Sequence, residues 1–240
     1  MKQRFPRLHR QLAARFSPTG TFGLHLTLGA LAMLMAAWAF GIVASDVVAG
    51  APLTLLDVRL ANWFHRYAHS GWTPLMLFIT TWHQQAGILV MALVLALYLR
   101  AEKAFYWLLA LVFAVPGGML VNVLLKYIFH RARPGFDDPL VTLSTYSFPS
   151  GHASGAALFY GLLAAYLVCT VGRPILRAAV LCAAAAMVAL VALSRVYLGA
   201  HYLSDVLAGV AFALAWLAVC ITAVSTFRRR RAARLLLTGD

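Results

Sequence analysis

Long apolar stretches separated by short polar segments dominate this sequence. A helix needs about 20 apolar residues to cross the hydrocarbon core of a bilayer. Stretches that reach or approach this length lie at about 22–44, 84–99, 104–126, 152–171, 175–193 and 204–226. The second is the weakest, because its continuous apolar part runs only from Gly87 to Leu99. The pattern predicts an all-α protein, an integral membrane bundle of six transmembrane helices.

A further segment, from Pro52 to His69, has a different pattern. Its large apolar residues recur at intervals of three and four, as in a helix with one apolar face: Leu53, Leu56, Leu60, Trp63 and Phe64. We expect an amphipathic helix that lies at the outer interface of the membrane. We interpret it as a cap without a catalytic role.

Composition excludes an ordinary soluble enzyme. Hydrophobic residues make up 62% of the chain and charged residues only 11%, whereas soluble domains are about half apolar and about a quarter charged. The net charge of +13 would suggest nucleic acid as a partner in a soluble protein. However, ten of the twenty basic residues lie in the first 15 and last 13 positions. We therefore predict the bilayer, and no nucleic acid, as the partner.

The distribution of Lys and Arg also predicts orientation. If both termini share one side of a six-span protein, that side holds fourteen basic residues and the other holds six. The positive-inside rule then places both termini in the cytoplasm. We expect a basic cytoplasmic N-terminus at 1–21, a six-span domain at 22–226 and a basic cytoplasmic tail at 227–240. The long polar connections at about 45–83, 127–151 and 194–203 would face outward.

The sequence contains no motif typical of a metal or disulfide site. Cys169, Cys182 and Cys220 all lie inside apolar runs, so we predict small buried hydrophobic residues. No carboxylate cluster suits Mg²⁺ or Ca²⁺, and no His or Cys set has the spacing of a zinc site. We expect no metal and no other cofactor.

Three outward-facing cations lie at or just beyond the ends of predicted spans: Lys126, Arg133 and Arg195. A charge in this position needs a partner. Because Pro134 disfavours a helical conformation at Arg133, we expect Lys126 and Arg133 to straddle a helix end and converge from two directions. The alternative for each is snorkelling to lipid headgroups.

The segment Pro149-Ser150-Gly151-His152 opens the fourth predicted span. Ser150 suits a helix cap, Gly151 lets the backbone approach a ligand, and the free amides of a helix start can bind an anion. His152 can exchange a proton near neutral pH. Alternatively, Ser150 and Gly151 only cap the helix and His152 only faces the interface.

A third block runs from Ser194-Arg195 to His201 and Asp205. Residues four apart share a helical face, so we expect Asp205 to hydrogen-bond His201 at the start of the sixth span. The carboxylate would orient the ring and leave its other nitrogen free as nucleophile or base. Alternatively, the pair only satisfies its own hydrogen-bonding groups.

Taken together, the three blocks can enclose a tetrahedral dianion with cations, helix amides and two imidazoles. Since no carboxylate cluster is available to bind a metal, Lys and Arg would neutralise the phosphoryl oxygens. The combination indicates metal-independent phosphoryl transfer.

The same blocks resemble the signature of the type 2 phosphatidic acid phosphatase superfamily, which is related to the vanadium haloperoxidases. That signature is Lys, six residues, Arg-Pro; then Pro-Ser-Gly-His; then Ser-Arg, five residues, His, three residues, Asp. Here it runs from Lys126 to Arg133-Pro134, over 149–152, and from Ser194 to Asp205.

The resemblance implies a helical bundle with its site at the outer interface. It also implies that His201 forms a phosphohistidine, that Asp205 holds its ring, and that His152 protonates the leaving oxygen and then activates water. The residues implied to bind phosphate are Lys126, Arg133, Ser150, Gly151 and Arg195.

We therefore expect a lipid phosphatase of the bacterial inner membrane with its site facing the periplasm. The first predicted substrate is undecaprenyl pyrophosphate; the alternatives are phosphatidylglycerophosphate, phosphatidic acid and lipid A phosphates. Lipid-to-lipid phosphotransfer and non-catalytic lipid binding or transport also stay open, and the sequence does not predict an oligomeric state.

Overall fold

The computed structural model describes residues 23–68, 71–141 and 143–238, and these form helices and connecting loops with no strand. The helices are α1 (Leu24–Ala49), α2 (Pro52–Tyr67), α3 (Thr73–Trp82), α4 (Gln85–Ala101), α5 (Phe105–Phe129), α6 (Gly151–Thr170), α7 (Pro174–Tyr197) and α8 (Leu203–Thr238). The all-α prediction is confirmed. The predicted N-terminal segment 1–21 lies outside the described residues.

Five of the described helices, α1, α5, α6, α7 and α8, are long and apolar enough to cross a membrane. A sixth crossing results if α3 and α4, which meet at a bend of 54°, form one broken span. Trp82 and Gly87 make close backbone contact at this bend, where a side chain on Gly87 would lie 2.0 Å from the Trp82 carbonyl oxygen. This break accounts for the weak apolar pattern of the second predicted span.

Helix α6 lies at the centre of the bundle and packs against α5, α7 and α8. The largest core cluster joins α4, α5, α6 and α8, with Leu111, Val115, Leu158 and Leu162 almost fully buried. Helix α1 packs along α8. The central position of α6 fixes its N-terminus relative to the ends of α5 and α7.

Helix α8 is 36 residues long, or about 54 Å at the rise of an α-helix. A bilayer core takes up only about 30 Å of that length. The basic segment beginning at Arg228 therefore continues the same helix beyond the apolar span, rather than starting a separate element.

The prediction that all three cysteines are buried is wrong for two of them. Cys220 is buried, but Cys169 and Cys182 are exposed on the bundle. In a bilayer, apolar lipid surrounds the outer faces of the helices. An apolar run in the sequence therefore does not distinguish a core position from a lipid-facing one.

Candidate active site

The residues predicted to form the site converge at one end of the bundle from four helices and two loops. Lys126 and Arg195 lie in the last turns of α5 and α7. Gly151 and His152 begin α6 after its cap Ser150, and Asp205 lies in the first turn of α8. Arg133 and His201 lie in loops.

Helix α5 ends between Lys126 and Arg133, as Pro134 predicted. The helix stops at Phe129, and His130 adopts a left-handed conformation with φ of 48°. The buried Lys126 ammonium donates to the Tyr146 carbonyl oxygen at 2.5 Å. Arg133 reaches the same region from the following loop, so the two cations approach from different directions.

Arg133 contacts the loop that carries His201. Its Nη1 donates to the Ala200 carbonyl oxygen at 2.6 Å and lies 3.2 Å from His201 Nε2. Its Nε donates to the Thr145 carbonyl oxygen at 2.7 Å. Burial lowers the pKa of Arg133 from the ordinary arginine value, against the opposing effect of the Asp205 charge. The guanidinium is thus fixed beside one ring nitrogen of His201.

His201 presents its two ring nitrogens to different partners. Nδ1 lies 3.4 Å from Asp205 Oδ2 and 3.3 Å from the Ser147 hydroxyl. Burial lowers the pKa of His201 to about 3, although the hydrogen bond and charge of Asp205 act in the opposite direction. With Nδ1 protonated toward Asp205, Nε2 keeps a lone pair on the side of Arg133.

The expected helical pairing of His201 and Asp205 is wrong in one respect. Helix α8 begins at Leu203, so His201 lies in the loop before it rather than on the same helical face. Asp205 instead accepts from the Tyr202 amide at 2.8 Å, as acidic residues in a first helical turn often do. The loop backbone, not helical spacing, places His201.

Asp205 has two further donors that sequence reasoning missed. The Ser147 hydroxyl donates to Oδ2, and Arg131 Nη1 donates to Oδ1 at 2.6 Å. Burial disfavours the charged form of Arg131, but the carboxylates of Asp205 and Asp57 outweigh it and raise the Arg131 pKa. Arg131 lies inside the first block between Lys126 and Arg133, and its charge was the only available signal.

Asp57 comes from α2, the helix interpreted above as a cap. Its carboxylate is fully buried and accepts from Arg131 Nη2 at 2.8 Å and from the Ser204 amide at 2.9 Å. Helix α2 therefore contributes a buried charge directly behind Asp205, and its lack of a catalytic role stays a prediction.

The start of α6 combines a cap with a glycine that lies beside Asn122 and Lys126 of α5. Ser150 accepts from the Ala153 amide at 3.4 Å, and its own amide donates to the Asp205 carbonyl oxygen at 2.9 Å. A side chain on Gly151 would lie 3.4 Å from Asn122 Oδ1. His152 is the second residue of the same helix and lies on this first turn.

Arg195 is 2% exposed, and only part of its guanidinium is hydrogen-bonded to described residues. Its Nη1 donates to the Thr80 hydroxyl from α3. Its Nε and Nη2 atoms are buried without a hydrogen-bond partner among the described residues. Burying an unpaired charged donor is costly. Nε and Nη2 of Arg195 are therefore suited to bind an anionic group. Thr80 is another residue that sequence reasoning missed.

The family model of the PAP2 superfamily matches residues 105–229, which is more than half of the chain. The chain belongs to the PAP2 superfamily. The match contains all three blocks and both histidines, so it covers every predicted site residue.

Two relatives from Bacillus subtilis resemble this PAP2 chain. Phosphatidylglycerophosphatase B is 43% identical over 98 residues, which are 40% of this chain and 47% of that protein. The chain thus matches about half the length of this relative. A crystal structure of a transmembrane PAP2-type phosphatidylglycerolphosphate phosphatase has a TM-score of 0.70 and 28% identity, covering 82% of this chain and 96% of that one. The membrane-spanning PAP2 fold therefore extends over most of the molecule.

Proposed function

We propose that this protein is a lipid phosphatase that hydrolyses the phosphomonoester of phosphatidylglycerophosphate. One observation carries the proposal: the buried His201 directs Nδ1 toward Asp205 and holds Nε2 3.2 Å from the Arg133 guanidinium. A nucleophilic nitrogen beside a fixed cation is the arrangement that attack on a phosphoryl group requires.

In the first step, His201 Nε2 attacks phosphorus and the bond from phosphorus to the lipid oxygen breaks. The departing oxygen takes a proton from the imidazolium form of His152, which leaves His152 neutral and yields the dephosphorylated lipid alcohol and a phosphohistidine. The phosphoryl oxygens would be bound by Lys126, Arg133, Arg195, the Ser150 hydroxyl and the Gly151 amide. The phosphohistidine ring carries positive charge, which the adjacent Asp205 carboxylate stabilises.

In the second step, His152 accepts a proton from water as the water oxygen attacks phosphorus. The bond from phosphorus to Nε2 breaks, which releases inorganic phosphate and restores neutral His201. Every charge on the transferred group is balanced by Lys and Arg side chains, so the chain's own residues suffice for both steps.

The substrate assignment rests on the relatives. Both are phosphatidylglycerophosphate phosphatases by name, and this lipid is one of the alternatives drawn from the sequence. The comparisons do not support the first prediction, undecaprenyl pyrophosphate. We also propose six spans with both termini in the cytoplasm, an inner-membrane location and a site facing the periplasm, supported by the fourteen-to-six distribution of basic residues.

The test is phosphate release by the purified protein in detergent from phosphatidylglycerophosphate, phosphatidic acid and undecaprenyl pyrophosphate, each presented separately. We expect the highest kcat/KM on phosphatidylglycerophosphate and loss of turnover in His201→Gln. His25→Gln is the matched control, since His25 lies beside Thr226, in the second half of α8. A preference for undecaprenyl pyrophosphate would refute the substrate, and normal turnover in His201→Gln would refute the mechanism.

A further inference from the structure

Four residues form a buried cluster behind the proposed nucleophile: Asp57, Arg131, Ser204 and Asp205. Arg131 bridges the two carboxylates, with Nη1 2.6 Å from Asp205 Oδ1 and Nη2 2.8 Å from Asp57 Oδ2. Nη1 also donates to the Ser204 hydroxyl at 2.6 Å, and that hydroxyl in turn donates to Asp57. Helix α2, the loop after α5 and the first turn of α8 are thereby joined at one guanidinium.

The buried cluster is shielded from water. Both carboxylate side chains are fully buried and that of Arg131 is 13% exposed. The Tyr202 ring covers the guanidinium, with 4.5 Å from Arg131 Cζ to the ring centroid. Electrostatic interactions are stronger in such an environment than at a surface. Removing one charge of the buried cluster should therefore change the electrostatic potential at the others.

The charges of the cluster do not cancel. One guanidinium and two carboxylates sum to a single negative charge, next to the Nδ1 side of His201. If Arg131 paired with Asp205 alone, the pair would be neutral. Asp57 supplies the second carboxylate, so Arg131 can hold Asp205 in place while the cluster stays anionic.

We propose that Arg131 and Asp57 are positioning residues that act through Asp205: Arg131 fixes its carboxylate, and Asp57 preserves the net negative charge that favours the phosphohistidine at His201. The inference rests on the proposed function, because it requires His201 to become positively charged during turnover. Neither residue touches the substrate; their effect is on the step in which charge develops.

This role predicts a separation between kcat and KM. Asp57→Asn keeps the shape of the side chain and removes one charge, so kcat should fall about tenfold or more while KM changes less than about twofold. Arg131→Lys keeps the charge but cannot bridge two carboxylates with a planar fork. It should therefore also lower kcat, although the net charge of the buried cluster is unchanged.

The deciding experiment is a double-mutant cycle for Asp57→Asn with Asp205→Asn, measured on detergent-solubilised protein with phosphatidylglycerophosphate. If Asp57 acts through Asp205, Asp57→Asn should cost less than about twofold in kcat once Asp205 is already Asn. Control variants are Asp137→Asn and Arg59→Gln, which change exposed charges outside the buried cluster. Size-exclusion profiles and apparent Tm values would be recorded for each variant.

Each outcome decides the proposal. Equal losses in both backgrounds would overturn it, as would a change in KM alone. Loss of the monodisperse form in both Asp57→Asn and Arg131→Lys would assign the buried cluster to folding and also overturn it. Failure of the proposed function is distinguishable, because His201→Gln would then stay active whatever the Asp57 variants do.

Discussion

Replacing Ser147 by alanine should slow catalysis without weakening substrate binding. The Ser147 hydroxyl is completely buried, donates to Asp205 Oδ2 and lies 3.3 Å from His201 Nδ1. Two hydrogen bonds hold the backbone of Ser147. The Ser147 amide donates to the Arg131 carbonyl oxygen at 2.9 Å, and Lys126 Nζ donates to the Ser147 carbonyl oxygen at 3.5 Å. The alanine variant should therefore lose the hydroxyl while the segment stays in place.

The magnitude follows from the number of donors to Asp205. A hydrogen bond to a charged group contributes about 1.5–3 kcal/mol. The carboxylate keeps the Arg131 and Tyr202 donors at 2.6 and 2.8 Å in the variant, so the lower half of this range applies. Each 1.36 kcal/mol is a factor of ten in rate, and kcat should fall by about 10- to 40-fold.

The assay is steady-state phosphate release from phosphatidylglycerophosphate in detergent micelles, with kcat and KM determined separately. Ser144→Ala is the matched control, because Ser144 is an exposed serine in the same segment. A kcat within about twofold of the wild type would show that the Ser147 hydroxyl does not support Asp205. A rise in KM at constant kcat would instead place Ser147 in substrate binding.

Three further predictions concern pH, Arg195 and metal. Burial lowers the pKa of His201 from 6.5 to about 3, so below pH 6.5 the unfolded chain binds a proton that the folded protein does not. The apparent Tm of the wild type should therefore fall more steeply than that of His201→Gln from about pH 7 to pH 5, and parallel curves would contradict the burial of a neutral ring. Thr80→Val removes the hydroxyl that Arg195 contacts and should lower kcat/KM about tenfold. The control Thr81→Val changes an exposed neighbour and should leave kcat/KM unchanged. Equal losses of kcat/KM in both variants would refute a specific role for Thr80. Activity should persist in EDTA, and loss on chelation would refute the metal-independent mechanism.

The sequence motifs were sufficient to predict which residues meet, because they lie at helix ends. A proline after Arg133, a cap at Ser150 and apolar runs on either side fix where helices stop. In an antiparallel bundle of spans, those ends share one side of the membrane. Lys126, Ser150 and Arg195 were therefore predictable as neighbours without knowledge of the packing between helices.

The residues that support the site were not predictable in the same way. Arg131 and Asp57 are 74 positions apart, and Arg195 and Thr80 are 115 apart. Nothing in the local pattern around Asp57 distinguishes a buried carboxylate from one on the polar face of an interfacial helix. The partner of a charge depends on which segments pack together.

The amino-acid sequence by itself determined the membrane-spanning helical architecture, the family and the three blocks proposed to carry the chemistry. These follow from local properties, namely hydropathy, helix-stop signals and residue spacing. Only the tertiary structure decided that His201 lies before α8, that Ser147 and Arg131 hold Asp205, and that α2 supplies a second buried carboxylate. The physical reason is that hydrogen bonds and ion pairs act over about 3 Å, a proximity that distant segments reach only when the bundle is assembled.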